Sequence, residues 1–208
     1  HYPIIFTFLA FCALFKAVAI FNIPSKIIDQ SPHENPFGNM KYVLKDHSFG
    51  YVLLTWFIMG FANLWTVPLR VDYITSPEWG IEGSAVFVAM IITVIPETLR
   101  TLFIPFWAKL FDKMNFVILR MILNLTFGAG VLLFFVTSNP WVISAGSALI
   151  GIAFAGGSIA WNLWVIKYAP PGKTGAYMSV HVSLTGIRGT LGPIIAVSYT
   201  HLTLPTKA

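Results

Sequence analysis

Charged residues are scarce in this sequence, and cysteine is almost absent. Only 10% of the 208 residues are charged, against about 25% in a typical soluble domain. The single cysteine, Cys12, excludes an internal disulfide and a cysteine-based metal site. The basic residues give a net charge of +5. They are scattered between apolar segments and form no contiguous patch, which argues against nucleic-acid binding.

Common enzyme motifs are also missing. The sequence has no G-x-S-x-G, no G-x-G-x-x-G and no Walker loop. His33-Glu34 begins like a zinc motif, but it lacks the second histidine and lies among prolines. We therefore expect no metal, no cofactor and no enzymatic activity. The missing Walker loop also leaves no nucleotide site, so an ATP-driven activity is not expected.

Apolar segments fill most of the chain, which is 56% hydrophobic with a mean hydropathy of +0.75. A soluble core cannot bury this much apolar surface, so lipid is the expected solvent. Six segments each reach the roughly 20 residues that cross a bilayer. This pattern predicts an all-α integral membrane protein with helices over residues 3–23, 49–71, 83–108, 116–136, 141–166 and 175–196.

The connections between these segments alternate in charge. Those after segments two and four contain no Lys or Arg, although Arg70 borders the first of them. Those after segments one, three and five, with Arg120 close by, contain Lys26, Lys41, Lys45, Lys109, Lys113, Lys167 and Lys173. Cytoplasmic loops retain Lys and Arg, so the connections after segments one, three and five are predicted to be cytoplasmic. Trp79 and Trp141 would then lie at the outer ends, as interface anchors or as ordinary aromatic residues.

Two ionisable residues lie inside the third segment. Glu97 and Arg100 are three apart and can pair on one helix face. Each costs about 2.5–3.5 kcal/mol at such depth, so both are expected to face protein or a water-filled cavity. Glu97 is a candidate proton or cation site, and Arg100 a candidate for holding an anionic group. The alternative is a self-neutralising structural pair.

Further polar residues occur in the other segments. Arg188 and His181 are seven apart in segment six and share a face. Arg188 is predicted to face a cavity, whereas His181 is more typical of a hydrogen-bonded packing residue. Asn63 and Asn162 are candidates for substrate contact or for joining helices. Arg70 is close to an outer end and is predicted to mark the membrane interface.

Small residues and prolines predict how the helices pack and bend. Ser147, Gly151 and Ala155 recur at four-residue spacing, which lets another helix backbone approach closely. Pro96 would free a backbone carbonyl one turn earlier, beside Glu97. The residues that can break or bend their helices are Gly60, Pro68, Pro96 and Pro105.

Three cytoplasmic or glycine-rich stretches resemble the major facilitator superfamily of secondary transporters. Leu110, Asp112 and Lys113 fit the family's loop pattern G-x-L-x-D-R/K-x-G-R/K-R/K, whereas Ala108 and Asn115 replace its glycines. The stretches 167–177 and 185–193 are also similar to family sequences. The resemblance covers residues 49–196.

The resemblance implies that the six segments are helices six to eleven of a twelve-helix bundle. Residues 1–23 would be a helix-6-like segment, 24–48 the central cytoplasmic loop, and 49–196 the C-terminal half. The N-terminal half would be missing, and 197–208 is expected to be a non-native tail. Asp112 and Lys113 would form a gating motif that latches the two halves. A solvated turn is the alternative.

The function implied is alternating-access transport of a small solute, coupled to protons or sodium. Arg100 and Arg188 favour an anionic solute. The expected location is a bacterial inner membrane, crossed several times and in contact with lipid. A non-transporting polytopic sensor or scaffold is the alternative. The best-placed site residues are Glu97, Arg100, Arg188, Asn63 and Asn162.

Overall fold

The described part of the chain is almost entirely helical. The computed structural model describes residues 2–22, 38–79, 81 and 83–203, and within these ranges it contains no strand. The all-α class predicted from hydropathy is therefore confirmed. The chain forms two units, His1–Glu34 and Asn35–Ala208. Lys26, His33 and most of the predicted connection 24–48 lie outside the described residues.

The described part of the first unit is one helix, α1, from Tyr2 to Phe21. Apart from Lys16, its residues are uncharged, and most of them are apolar. Twenty residues at 1.5 Å each extend about 30 Å, which matches the hydrocarbon thickness of a bilayer. The first predicted span is therefore a helix that is long enough to cross.

The second unit is a bundle of long helices joined by short turns. A 3-10 turn, Gly38–Met40, and the short helix α2, Lys41–Lys45, occupy the end of the predicted connection. A second 3-10 turn, Pro77–Trp79, and a π-helical turn, Met90–Val94, interrupt the longer elements. Those elements are α3 (His47–Thr75), α4 (Ala85–Ala89), α5 (Ile95–Lys113), α6 (Phe116–Phe135), α7 (Pro140–Tyr168) and α8 (Thr174–Thr203).

Within the described residues, five helices are long and apolar enough to cross a membrane, judged by length and composition. They are α1, α3, the continuous run Ala85–Lys113, α6 and α7. The sixth predicted span does form a helix, α8, which is not among these five. α8 also continues to Thr203, past the point where the sequence predicts a non-native tail. The origin of that tail stays a prediction.

Polar side chains mark where the long helices begin. The Asp46 carboxylate accepts a hydrogen bond from the Phe49 amide at 3.0 Å. The Asn115 and Asn139 side chains do the same for Val117 at 2.8 Å and for Trp141 at 2.9 Å. Each bond satisfies a backbone donor that the first helical turn leaves unpaired. The turns before α3, α6 and α7 are fixed in this way.

α7 packs against both α5 and α6 through small residues. A Cβ atom on Gly151 would lie 2.4 Å from the Pro96 carbonyl oxygen, and one on Gly146 would lie 2.7 Å from the Gly130 oxygen. Ser147 and Ala155 are fully buried. The close backbone approach predicted from Ser147, Gly151 and Ala155 is thus confirmed for the α5–α7 contact.

The prolines differ in their effect on the helices. Pro68 lies inside α3 and Pro105 inside α5, and neither helix is broken there. Just before Pro96, the backbone widens into the π-helical turn Met90–Val94. The Ser147 hydroxyl donates a hydrogen bond to the Ile91 carbonyl in that turn. A neighbouring helix therefore satisfies a carbonyl one turn before the proline.

Two apolar clusters occupy the two ends of the bundle. One joins the start of α3 to the end of α5 and contains Phe49, Trp107 and Trp164. The other joins the end of α3 to the start of α7 and contains Ile74 and Ile143. Successive long helices therefore run in opposite directions. The polar residues described next lie where the two clusters meet.

Candidate functional site

A cavity of about 420 Å³ lies between α3, α5, α6, α7 and α8. Tryptophan and phenylalanine side chains form much of its wall, including Trp56, Phe127, Phe154 and Trp161. Of the described residues, no Asp or Glu lines it. All five helices also contribute polar side chains to the wall, namely Asn63, Arg100, Arg120, Asn124, Ser158, Asn162 and Arg188.

The structure brings together four of the five site residues predicted from sequence. Asn63, Arg100, Asn162 and Arg188 line this one cavity, although they come from four different helices. Glu97 does not line it, and its side chain is 55% exposed. The binding role of all five stays a prediction, but four of them are placed where one ligand can reach them together.

Glu97 and Arg100 form an ion pair on α5. An Arg100 guanidinium nitrogen, Nη1, lies 3.3 Å from the carboxylate of Glu97. The pairing predicted from their three-residue spacing is therefore confirmed. Arg100 is 39% exposed, so a partly accessible pair sits at the cavity edge. The positive charge of Arg100 is already neutralised by its neighbour.

The Arg188 side chain extends from α8 into the space beside Gly60 of α3. Its Nη1 donates a hydrogen bond of 2.8 Å to the Trp56 carbonyl, and its guanidinium lies 5.3 Å from the Trp161 ring. Nε is buried and has no hydrogen-bond partner among the described residues. A Cβ atom on Gly60 would lie 1.8 Å from Nη1, so only glycine leaves room for this arrangement.

Arg120 is buried in the cavity wall, where the charge pattern did not predict it. The charge pattern grouped it with the cytoplasmic connections, but on α6 it is only 8% exposed. Its guanidinium carbon lies 3.6 Å from the Trp56 ring, a close cation–π contact. Nε and Nη2 are buried without a hydrogen-bond partner in the described ranges. Asn124, four residues on, lines the same wall, and this spacing was the signal available in the sequence.

The three asparagines present polar groups to the cavity in different ways. The side-chain oxygens of Asn63 and Asn124 are buried and have no hydrogen-bond partner within the described ranges. The Asn162 amide donates to the Ser158 carbonyl of its own helix at 2.8 Å. Asn63 and Asn124 therefore retain unused hydrogen-bonding capacity inside the bundle, where such capacity is costly.

His181 lies beside the cavity in an aromatic enclosure. Its ring is 1% exposed, 4.1 Å from the Trp161 ring and 5.4 Å from the Trp164 ring. Neither ring nitrogen has a hydrogen-bond partner in the described part of the chain. The packing role expected for His181 is confirmed, whereas the hydrogen bond expected with it is not found among those residues.

Arg70 is buried within the bundle near the end of α3. It is 5% exposed, its Nε lies 3.4 Å from the Thr66 carbonyl, and its guanidinium lies 5.9 Å from the Phe134 ring. This burial does not test the depth of Arg70 in the membrane, so its interface position stays a prediction. Packing against α6 holds Arg70 inside the bundle.

The last turn of α5 carries the predicted gating residues. Asp112 and Lys113 are both exposed there, so their role stays a prediction. Lys167, at the end of α7, donates to the Phe111 carbonyl and lies 3.5 Å from the Met114 carbonyl. A cation thus meets the carbonyls at the negative end of α5, which fixes the turn against α7.

The described residues contain no group of three or more His, Cys, Asp or Glu side chains able to hold a metal ion. The family model described as Major Facilitator Superfamily matches residues 2–193 of the chain. No curated protein and no solved structure shows a significant match.

Proposed function

The chain belongs to the major facilitator superfamily of membrane transporters, and on that premise we propose that it moves a small solute across the membrane by alternating access. The solute would bind in the cavity between α3, α5, α6, α7 and α8, with Asn63, Arg100, Asn162 and Arg188 among its contacts. Family members are transporters rather than enzymes, and the apolar helices make the chain an integral membrane protein. We place it in a bacterial inner membrane.

The convergence of seven polar side chains on one cavity carries this proposal. Ionisable residues within membrane helices cost about 2.5–3.5 kcal/mol each on insertion scales. Three arginines therefore represent a large cost that a purely structural bundle would not need. The volume of about 420 Å³ also lies within the 300–1,000 Å³ common for small-molecule sites.

Movement between access states needs helices that deform or slide. The π-helical turn Met90–Val94, next to Pro96, is a place where α5 can bend, because its hydrogen bonding is already irregular. The Asp112–Lys113 turn would latch this half of the bundle against the other half in one state. Rocking of two bundles around a central site is the mechanism that such features support.

Glu97 is the proposed coupling residue, with protons or sodium as the ion. Its carboxylate is accessible and pairs with Arg100 at 3.3 Å, so protonation or cation binding would release Arg100 toward the cavity. Uptake measured with and without a proton gradient, and with sodium replaced by choline, distinguishes the two ions.

Uptake of a panel of radiolabelled solutes into proteoliposomes containing the intact protein tests the proposal. Arg188→Gln and Asn63→Ala should each lower uptake at subsaturating solute by about tenfold, equivalent to about 1.4 kcal/mol of lost binding. Leu125→Ala is the matched control, since Leu125 is 71% exposed on the outside of α6. Normal uptake by both cavity variants would contradict the proposed site. Solute binding without uptake would favour a sensor or scaffold.

A further inference from the structure

We propose that Arg120 and Arg188, instead of Arg100, hold the anionic group of an aromatic organic anion in this cavity. The inference rests on the proposed solute-binding role of the cavity and names the class of solute. It assigns Arg120, which the charge pattern grouped with the cytoplasmic connections, to the binding site.

The charges of the cavity wall favour an anion. Three arginines line it, and among the described residues no carboxylate does. Arg100 is paired with Glu97 outside the wall, at 3.3 Å. The described residues provide no ion pair for Arg120 or Arg188. Two uncompensated cations therefore remain, and an anionic ligand group would offset their mutual repulsion in this low-dielectric region.

Trp56 brings these two cations to the same place. The Arg120 guanidinium lies 3.6 Å from the Trp56 ring, and Arg188 Nη1 donates to the carbonyl of the same residue at 2.8 Å. Nε and Nη2 of Arg120 and Nε of Arg188 have no partner in the described ranges. Guanidinium groups bind planar anions such as carboxylates through paired N–H donors. Two guanidinium groups in one cavity wall therefore match a carboxylate or a phosphate.

The remaining wall favours an aromatic body on that anion. Trp161, Phe127 and Phe154 face the cavity beside the two arginines. The volume of about 420 Å³ is many times the roughly 30 Å³ that one water occupies, so an inorganic ion would leave most of it unfilled. Aromatic rings gain from offset or edge-to-face contact with such walls. An anionic group on a flat apolar ring fits both parts of the cavity.

Calorimetric binding to the intact protein in lipid nanodiscs tests this assignment with simple probes. Benzoate and phenyl phosphate should bind, with their relative affinities showing which anionic group is preferred. Benzyl alcohol and benzylamine, of similar shape but neutral or cationic, should bind at least tenfold more weakly. Acetate, which keeps the carboxylate without the ring, should also bind at least tenfold more weakly. Binding of benzylamine equal to that of benzoate would overturn the proposal.

Variants identify the residues that hold the anion. Arg120→Gln and Arg188→Gln should each weaken benzoate binding at least tenfold, and Arg100→Gln should weaken it less than either. Leu125→Ala should leave it unchanged. The conservative Arg120→Lys and Arg188→Lys, which keep the charge, should retain part of the affinity. Wild-type affinity in both glutamine variants would refute the assignment, and the probe comparison in the unmodified protein decides the ligand class even if a variant does not fold.

Failure of this inference and failure of the proposed function give different results. Binding is measured without transport, so benzoate binding in a protein that accumulates no solute would leave the anion site standing and remove the transport proposal. Uptake of a neutral or cationic solute that benzoate does not inhibit would support the transport proposal and contradict the anion site.

Discussion

At Gly60, the absence of a side chain gives Arg188 its position. The guanidinium occupies the space next to the α3 backbone where a Cβ atom would lie 1.8 Å from Nη1. From there Arg188 reaches the Trp56 carbonyl at 2.8 Å. A glycine on one helix therefore decides where a charge from another helix lies, and the proposed binding site depends on both.

The Gly60→Ala variant should displace Arg188 while leaving the fold intact. The lost hydrogen bond from a charged donor costs about 1.5–3 kcal/mol, and alanine in a helix returns about 1 kcal/mol. The expected net loss of unfolding free energy is about 0.5–2 kcal/mol by these values. Reversible denaturation in mixed micelles measures it. Gly128→Ala is the control because a Cβ there meets no atom within 4 Å, and a loss at Gly128 equal to that at Gly60 would contradict the argument.

The arginines also show what the sequence could reveal about single residues. Glu97 and Arg100 are predictable as a pair because both lie on one helix at a fixed spacing. Arg120 is not, since its burial depends on α6 packing against Trp56 of α3, a contact between residues 64 positions apart (56 and 120). Gly60 was recognisable as a possible bend, but its partner on α8 is set by tertiary packing alone.

α7 contacts both α5 and the π-helical turn that precedes it. Gly151 lies against Pro96, and Ser147, four residues before Gly151, bonds through its hydroxyl to the Ile91 carbonyl, five residues before Pro96. These contacts hold the π-helical turn against α7. The spacing of small residues along α7 predicted a close approach, whereas the widened turn on α5 was predictable only as a freed carbonyl near Pro96.

Gly151→Ala should destabilise this contact more than an alanine elsewhere on α7. The added Cβ would lie 2.4 Å from a backbone oxygen, which cannot rotate away as a side chain can, so α5 and α7 must separate. Overpacking of this kind costs about 1–3 kcal/mol. Thermal unfolding in micelles measures it, with Gly157→Ala on the same helix as the control, since a Cβ there meets nothing within 4 Å. Equal melting temperatures for the two variants would show that the contact is not tight.

Across the whole chain, the basic turns fall at one end of the described bundle. Lys109 and Lys113 lie at the end of α5, and Lys167 and Lys173 flank the turn from α7 to α8. The opposite end has the acidic Glu78 in the Pro77–Trp79 turn. Hydropathy and charge were sufficient to predict this arrangement, because helix length and the distribution of Lys are local properties of the sequence.

Single-cysteine labelling in intact cells checks this orientation. In a Cys12→Ser background, which removes the single natural cysteine, Glu78→Cys should react with an impermeant maleimide from outside. Lys173→Cys should react only after the membrane is permeabilised. Both positions are exposed in turns, so access to the reagent is the variable. Labelling of both variants from the same side would contradict the orientation.

The position of Arg188 beside the backbone of α3 also has a consequence for insertion into the membrane. α8 is synthesised after α3, α5, α6 and α7, and its Arg188 bonds to the backbone of α3. An arginine at the centre of an inserting helix costs about 2.5–3.5 kcal/mol, whereas the Trp56 carbonyl beside Gly60 offers it a partner. We therefore expect α8 to leave the translocon by docking onto helices already in place, which brings Arg188 to the cavity wall after Arg100 and Arg120.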